Sequence, residues 1–295
     1  MNVVLAEHAG FCFGVKRAIQ LALEASEQQH PIYTSGPLIH SPQMVAELEQ
    51  HGVLVCEHPE RLHDSVIIIR SHGMPAVEKA ALQANGNILI DATCPFVTKA
   101  QEHIQLLCAE GYPIVIMGDA THPEVIAMQS YCSQETFVVK DASALPDRHW
   151  HKLGVLSQTT KDSKSFALLV RVLLQRTQEL RIFNTICTAT SLRQEASLAL
   201  AKQSDLMIVI GGRNSSNTKM LAALCSEVTD TLQVETAQEI DPAFVAGKQR
   251  IGITAGASTP DYLIVEVYNV INKITGDRTS VNNVVDIPIN KEESC

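Results

Sequence analysis

No GxxxxGK[ST] occurs in this 295-residue chain, and no GxGxxG follows a strand-like run. The backbone cradles that hold nucleotide phosphates and dinucleotides therefore leave no signature here. No apolar run approaches the length that spans a bilayer; FALLVRVLL is broken by Arg171. No charged-then-apolar leader precedes the strand-like opening MNVVLA, so a cytoplasmic location is expected. Basic residues are outnumbered, 23 Lys and Arg against 32 Asp and Glu, for a formal charge of −9. That balance argues against nonspecific binding to nucleic acid or to a membrane surface. Low-complexity segments and an obvious linker are missing too. So is any CxxC pair among the eight cysteines, at 12, 56, 94, 108, 132, 187, 225 and 295. In a cytosolic chain such cysteines are expected to be reduced, buried, metal-bound or catalytic rather than disulfide-linked.

What is present is the pattern of an α/β protein. The chain is 45% hydrophobic and 19% charged, as in soluble globular proteins, and long enough for two or three domains. Continuous Val- and Ile-rich runs (NVVLA, SVIIIR, NILIDA, YPIVIMG, KLGVLS, DLMIVIGG, RIGITAG) read as strands buried on both faces, the mark of parallel sheets. Between them lie helix-period segments: 15–28, 98–110, 163–180, 192–203, 219–227 and 261–274.

A weak repeat runs through this alternation. Cys12, Cys94 and Cys187 stand 82 and 93 residues apart, each after a strand-like run and before a helix. Pro95 pre-sets the helix start after Cys94, Ser191 and Gln194 suggest a capping box beyond Cys187, and Gly14 leads into the helix after Cys12. Such turns are where open α/β sheets place ligands, and a helix N-terminus favours thiolate over thiol. Three thiolates from three segments suit an iron–sulfur cluster better than structural zinc, whose ligands come in close pairs. On a four-iron cluster they leave one iron without a protein ligand, open as a Lewis acid. The plainer reading makes each cysteine a small buried hydrophobe, and the matched contexts weigh against it. Phe11 and Phe13 would then wall the Cys12 site from water. Lys16 and Arg17 either steer an acidic electron donor or decorate a solvated helix face.

A second series, each strand, small polar loop and helix, carries His40, His72, His122, Glu124, Ser215, Ser216, Asn217 and Ser258. Backbone N–H groups at helix starts, with hydroxyls and imidazoles, bind phosphate well; ordinary helix capping accounts for any one such loop alone. A carboxyl at a phosphate site repels the anion, so Glu124 reads as a proton donor or relay, or as a first-turn acid favouring the helix dipole. SQTT at 157–160 offers a hydroxyl. Cys108 and Cys225 fall on apolar helix faces, Cys56 in a strand, Cys132 in a loop and Cys295 at the terminus, while His149–His151 (HWH) reads as a surface turn.

In order along the chain stand GFCFGVKRA, SHG, DATCPFV, GDATHPEV, SQTT, RQEA, NSSNT and TAGASTPD. With this set the sequence, from Asn2 to about Ile274, closely resembles the LytB/IspH family of 4-hydroxy-3-methylbut-2-enyl diphosphate reductases. The resemblance implies three pseudo-equivalent α/β domains with small parallel sheets, arranged as a trefoil around a central cluster. The expected divisions are 1–95 with Cys12, His40 and His72 and ending at the Cys94 turn, 96–188 with His122, Glu124 and Thr159 and ending at the Cys187 turn, 189–276 with Ser215, Asn217 and Ser258, and a tail at 277–295. It implies a [4Fe-4S] cluster on Cys12, Cys94 and Cys187. Diphosphate binding falls to His40, His122, Ser215, Ser216, Asn217 and Ser258, with His72 as a further pocket histidine. Glu124 delivers protons, with Thr159 as its partner hydroxyl. The implied reaction is the last step of the non-mevalonate isoprenoid pathway: two electrons and two protons remove an allylic hydroxyl as water, giving isopentenyl and dimethylallyl diphosphate. Reduced ferredoxin or flavodoxin is the expected donor, because no flavin or nicotinamide motif is present, and a monomer or weak dimer is expected. Two other readings stay open at this point. One is a hydro-lyase using the open iron only as a Lewis acid; the other is a cluster-based sensor, against which the anion-binding loops argue.

Overall fold

The computed structural model describes residues 2–27, 31–276, 280–287 and 289–290. Its strands form three sheets, and every pairing within them is parallel. One sheet takes β2 (Ile32–Ser35), β3 (Val53–Cys56), β4 (Val66–Ile69) and β5 (Ile88–Asp91), in the order β3-β2-β4-β5. A second repeats that order with β6 (Ile114–Met117), β7 (Thr136–Val139), β8 (Trp150–Ser157) and β9 (Thr177–Ile182), as β7-β6-β8-β9. The third joins β1 (Asn2–Ala6), β10 (Leu206–Ile210), β11 (Thr231–Val234), β12 (Arg250–Ala255) and β13 (Ile289–Asn290), as β11-β10-β12-β1-β13. The helices are α1 (Phe13–Ser26), α2 (Pro42–Gln50), α3 (Ala76–Ala84), α4 (Pro95–Ala109), α5 (Pro123–Ser130), α6 (Ser163–Leu174), α7 (Thr188–Ala201), α8 (Ser216–Ser226), α9 (Pro242–Val245) and α10 (Asp261–Ile274). Among the described residues no helix is long and apolar enough to cross a membrane.

The chain divides into two compact units, one of Met1–Phe13, His40–Met44 and Thr188–Cys295, the other of Gly14–Ile39 and Val45–Cys187. The five-stranded sheet belongs to the first unit, both four-stranded sheets to the second.

Strand β1 explains why a chain of continuous apolar runs adopts this architecture. Successive side chains point to opposite faces of a sheet, so a strand covered on both sides must be apolar throughout. Val3 and Leu5 enter one core with Ile208, Ile253 and Val267; Val4 and Ala6 enter the other with Leu200, Met207 and Leu221. β1 pairs with β12, Val3 opposite Ile251, so the first strand of the chain completes the sheet of the last α/β segment. It does not join the sheet of residues 32–91, although the sequence reading grouped residues 1–95 together.

The local expectations need four corrections. The helix expected over 163–180 stops at Leu174, and Thr177–Ile182 instead forms edge strand β9 along β8. Its polar alternation, TQELRI, is that of a solvated edge, and ladder bonds to β8 override the helical pattern that precedes it. α7 begins at Thr188, directly after Cys187, so Ser191 lies inside the helix rather than capping it. His149–His151 is no surface turn: Trp150 opens β8 and is 4% exposed. Phe13 is 65% exposed and does not form the dry wall expected beside Cys12.

Cysteine usage also departs from expectation. Cys108 near the end of α4 and Cys132 just beyond α5 form a disulfide, with Cα atoms 5.4 Å apart. The pairing escapes a sequence reading because the partners are 24 residues apart, and only the packing of α4 beside α5 brings them together. Cys56 ends β3 and Cys225 is fully buried, both as expected, while Cys295 lies outside the described residues.

Candidate active site

Cys12 immediately precedes α1, Cys94 is the N-cap of α4 with Pro95 at its first position, and Cys187 immediately precedes α7. All three thiol-bearing residues are half-buried. The sheets show why the three turns match. Each cysteine follows the strand lying beside the one that feeds a polar loop: β1 beside β12, β5 beside β4, β9 beside β8. The backbone N–H of each cysteine then donates to a carbonyl in that neighbouring loop. Cys12 bonds to Ala257 at 3.1 Å, Cys94 to Ser71 at 3.0 Å and Cys187 to Thr159 at 3.0 Å. Ala257 precedes Ser258 and Ser71 precedes His72, so two of the bonds couple a cysteine to the immediate neighbour of a residue of the second sequence series, and the third couples Cys187 to Thr159 of SQTT.

Side chains clamp these turns as well, and the sequence reading assigned these groups no such role. Arg193 of RQEA, 3% exposed, donates from Nη2 to the Gly10 carbonyl at 2.8 Å, two residues before Cys12. Arg17 donates to the carbonyls of Thr93 at 3.1 Å and Asp91 at 3.3 Å, ahead of Cys94. It is therefore not merely decoration of a solvated helix face. The Ser157 N–H donates to Thr185 Oγ1 at 2.9 Å, and that hydroxyl donates to the Ser157 carbonyl, two residues before Cys187. For Arg193 the available signal was an arginine amid a helix that otherwise reads as a core face.

In the first unit the polar loop after β10 is built for close approach. Gly211 has φ +145, and a Cβ there would meet Thr218 Oγ1 at 2.6 Å; a Cβ on Gly212 would meet the His40 carbonyl at 2.7 Å. His40 is thus held against the loop that carries Ser215, Ser216 and Asn217. Ser215 caps α8, its Oγ accepting from the Thr218 N–H at 3.3 Å. Asn217 is 3% exposed, yet neither its Oδ1 nor its Nδ2 has a hydrogen-bond partner among the described residues. An unsatisfied buried amide costs about 1–3 kcal/mol, so these atoms are set for a polar ligand. Half-buried Ser258 follows β12.

In the second unit α5 presents His122 and Glu124. His122 is the N-cap, its Nδ1 accepting from the Glu124 N–H at 3.2 Å, which leaves the proton of the neutral ring on Nε2. The rings of His72 and His122 meet edge-on, centroids 5.3 Å apart. Glu124 is 1% exposed. One carboxyl oxygen accepts from the Thr159 N–H at 2.6 Å, and the other lies 2.8 Å from Thr159 Oγ1. Burial pushes its pKa up to about 7, against the opposing pull of the Thr159 bonds and of Lys161. Two sets of bonds thus meet at one residue: Thr159 fixes Glu124 through its N–H and side chain, and Cys187 through its carbonyl.

These features define an α/β protein with three cysteine-bearing helix starts, an orphaned amide in a polar loop at a helix start and a carboxyl whose pKa lies near neutral pH. The LytB protein family matches residues 3–272, and the chain belongs to it. A 4-hydroxy-3-methylbut-2-enyl diphosphate reductase of Geobacter metallireducens is 48% identical over 95% of this chain and 100% of its own length. The one from Geobacter sp. strain M21 is 49% identical over 95% and 100%. A solved reductase structure, described as the terminal enzyme of the non-mevalonate pathway, has a TM-score of 0.68 at 42% identity, covering 92% of this chain and all of that one. The corresponding reductase of Plasmodium falciparum gives 0.88 at 27% identity, covering 96% and 91%.

Proposed function

We propose that this protein is an iron–sulfur reductase that converts 4-hydroxy-3-methylbut-2-enyl diphosphate, with two electrons and two protons, to water plus isopentenyl or dimethylallyl diphosphate. The observation that carries the reading is the buried Glu124–Thr159 pair, within a chain of the LytB family. Cys12, Cys94 and Cys187 would hold a [4Fe-4S] cluster. In support, each stands at a helix N-terminus that favours thiolate, with its turn fixed by a backbone bond. When bound, the cluster supplies single electrons and one iron open as a Lewis acid.

The chain's own residues do the rest. His40, Ser215, Ser216, Asn217 and Ser258 bind the diphosphate, Asn217 with the amide that its surroundings leave unsatisfied. By the family resemblance His122 is a further diphosphate ligand and His72 a further substrate histidine, and His122 keeps its Nε2–H to donate because Nδ1 accepts from α5. Glu124, neutral below about pH 7, gives its proton to the departing hydroxyl, and Thr159 orients the carboxyl and passes the replacement proton. Holding the diphosphate fixes the allylic carbon against the acid. Reduced ferredoxin or flavodoxin supplies the electrons.

The test is anaerobic purification with iron and sulfide counts, followed by turnover with and without a chemical reductant. The expected result is close to four irons per chain, loss of iron in Cys12→Ser, and product only with reductant. Consumption of substrate without reductant would replace the reductase by a hydro-lyase, and full activity in iron-free protein would remove the cluster.

A further inference from the structure

The sheet of β2 to β5 has a second opening that none of the residues above lines. Its order, β3-β2-β4-β5, reverses between β2 and β4, so the connections after those two strands leave in opposite directions. Crevices at the carboxyl ends of strands, at such reversals, are where open α/β sheets take ligands. Here the crevice is a cavity of about 510 Å³ within the second unit, bounded by Gly36 after β2, Arg70 after β4 and the first turns of α3. That volume falls in the range of small-molecule sites, about 300–1,000 Å³.

Three features of its wall select a ligand. Arg70 is half-buried, and its guanidinium has no hydrogen bond or ion pair to any described residue. Gly36, at φ +78, leaves the guanidinium uncovered: a Cβ there would lie 3.3 Å from Nη1. Burial holds the Arg70 pKa below its ordinary value, and the charge of Glu78 opposes this; the group remains a cation at any physiological pH. Met74, Val77 and Leu82 give an apolar flank, and Glu57, Glu60 and Glu78 stand on the remaining walls, the Glu60 carboxylate also 3.3 Å from His58 and 3.9 Å from Arg61. A guanidinium without a hydrogen-bond acceptor pairs best with a planar carboxylate or a phosphate. A phosphate dianion would meet three glutamates beside one arginine, whereas a carboxylate that carries its own ammonium satisfies both signs.

We propose that this crevice binds a small aliphatic α-amino acid, its carboxylate on Arg70, its ammonium among Glu57, Glu60 and Glu78, and its alkyl chain against Met74, Val77 and Leu82. The site is independent of the reductase chemistry. The size of the apolar flank suits a leucine-like side chain, and the mixed polar walls exclude a plain fatty acid or an alkylamine.

Calorimetric titration of the anaerobically purified, cluster-loaded protein with L-leucine tests this. Saturable binding with Kd below about 10 mM is expected, with 4-methylpentanoate, 3-methylbutylamine and inorganic phosphate each at least about tenfold weaker. Arg70→Met and Val77→Trp, the second filling the cavity from an exposed position while leaving Arg70 in place, are each expected to weaken L-leucine about tenfold or more at unchanged iron content. No saturable binding, equal binding of 4-methylpentanoate or phosphate, or unchanged affinity in both variants would overturn the proposal.

Discussion

Glu124 is the residue on which burial and function meet. A carboxyl at 1% exposure whose pKa stands at about 7 binds a proton in the folded chain over a range where the unfolded chain has lost it. The folded state therefore holds more protons between the ordinary carboxyl value of 4.5 and about 7, and stability falls as pH rises through that window. The loss amounts to about 3 kcal/mol at most, complete above the upper value. Glu124→Gln keeps the shape and removes the titration, so its unfolding free energy is expected to be flatter across pH 4.5–7 than that of the parent. On the proposed mechanism the same proton is the one the reaction consumes. Turnover should drop by about 10²-fold or more in Glu124→Gln, with substrate binding and iron content kept. In the parent, turnover should decline above about pH 7 as the acid form is lost. Near-normal turnover in the variant would end the proton role.

At the scale of the element, the repeated unit is a turn held from both sides: a backbone bond from the cysteine and a clamp on the residues just before it. Arg17→Met removes the clamp on Asp91 and Thr93 but leaves the Cys94 bond to Ser71. The expected cost is about 1 kcal/mol, read as normal folding but several-fold faster bleaching of the cluster by an iron chelator. A bleaching rate equal to the parent's would make Arg17 a bystander. The Cys108–Cys132 bond ties α4, which Cys94 opens, to the segment following α5, which carries His122 and Glu124. Closing a loop of 24 residues restricts the unfolded chain by about 3 kcal/mol. Protein kept from thiols should therefore be two alkylation sites short in non-reducing mass analysis, and Cys108→Ser should lower its stability by about that amount. In dithiothreitol the two proteins should unfold alike. The cysteine turns were legible in sequence because strand, thiol and helix start are contiguous. The clamps and the disulfide were not, since each joins residues that only tertiary packing brings together. β9 was missed for a related reason: TQELRI is a strand because β8 offers a ladder, not because of its own apolar pattern.

At the scale of the molecule, the sheets follow one plan used three times, with the third copy started by the N-terminus. β3-β2-β4-β5 and β7-β6-β8-β9 each run within one stretch of chain, whereas β11-β10-β12 is completed by β1. The Val- and Ile-rich runs made parallel sheets readable and the cysteine spacing suggested three units, while the three small sheets were what the family resemblance implied. A sequential division at residue 95 nevertheless misplaced the first strand, because a parallel pairing between residues 2–5 and 250–253 carries no local signal. The consequence for Cys12 is direct, since its turn depends on β12 and on Ala257 rather than on the sheet that follows it in sequence. Hydrogen exchange of the native protein tests this plan. Val3, Val4 and Leu5 all pair with β12, and their side chains enter two cores, so their amides should open with those of Ile208, Val209 and Ile253 as one cooperative unit. Destabilising that sheet with Ile253→Ala, a fully buried position, should speed exchange at Val3–Leu5 far more than at Ile67 and Ile68 of β4. If Val3–Leu5 instead followed Ile67 and Ile68, the first strand would belong to the sheet of β2 to β5, and Cys12 would be held by other bonds.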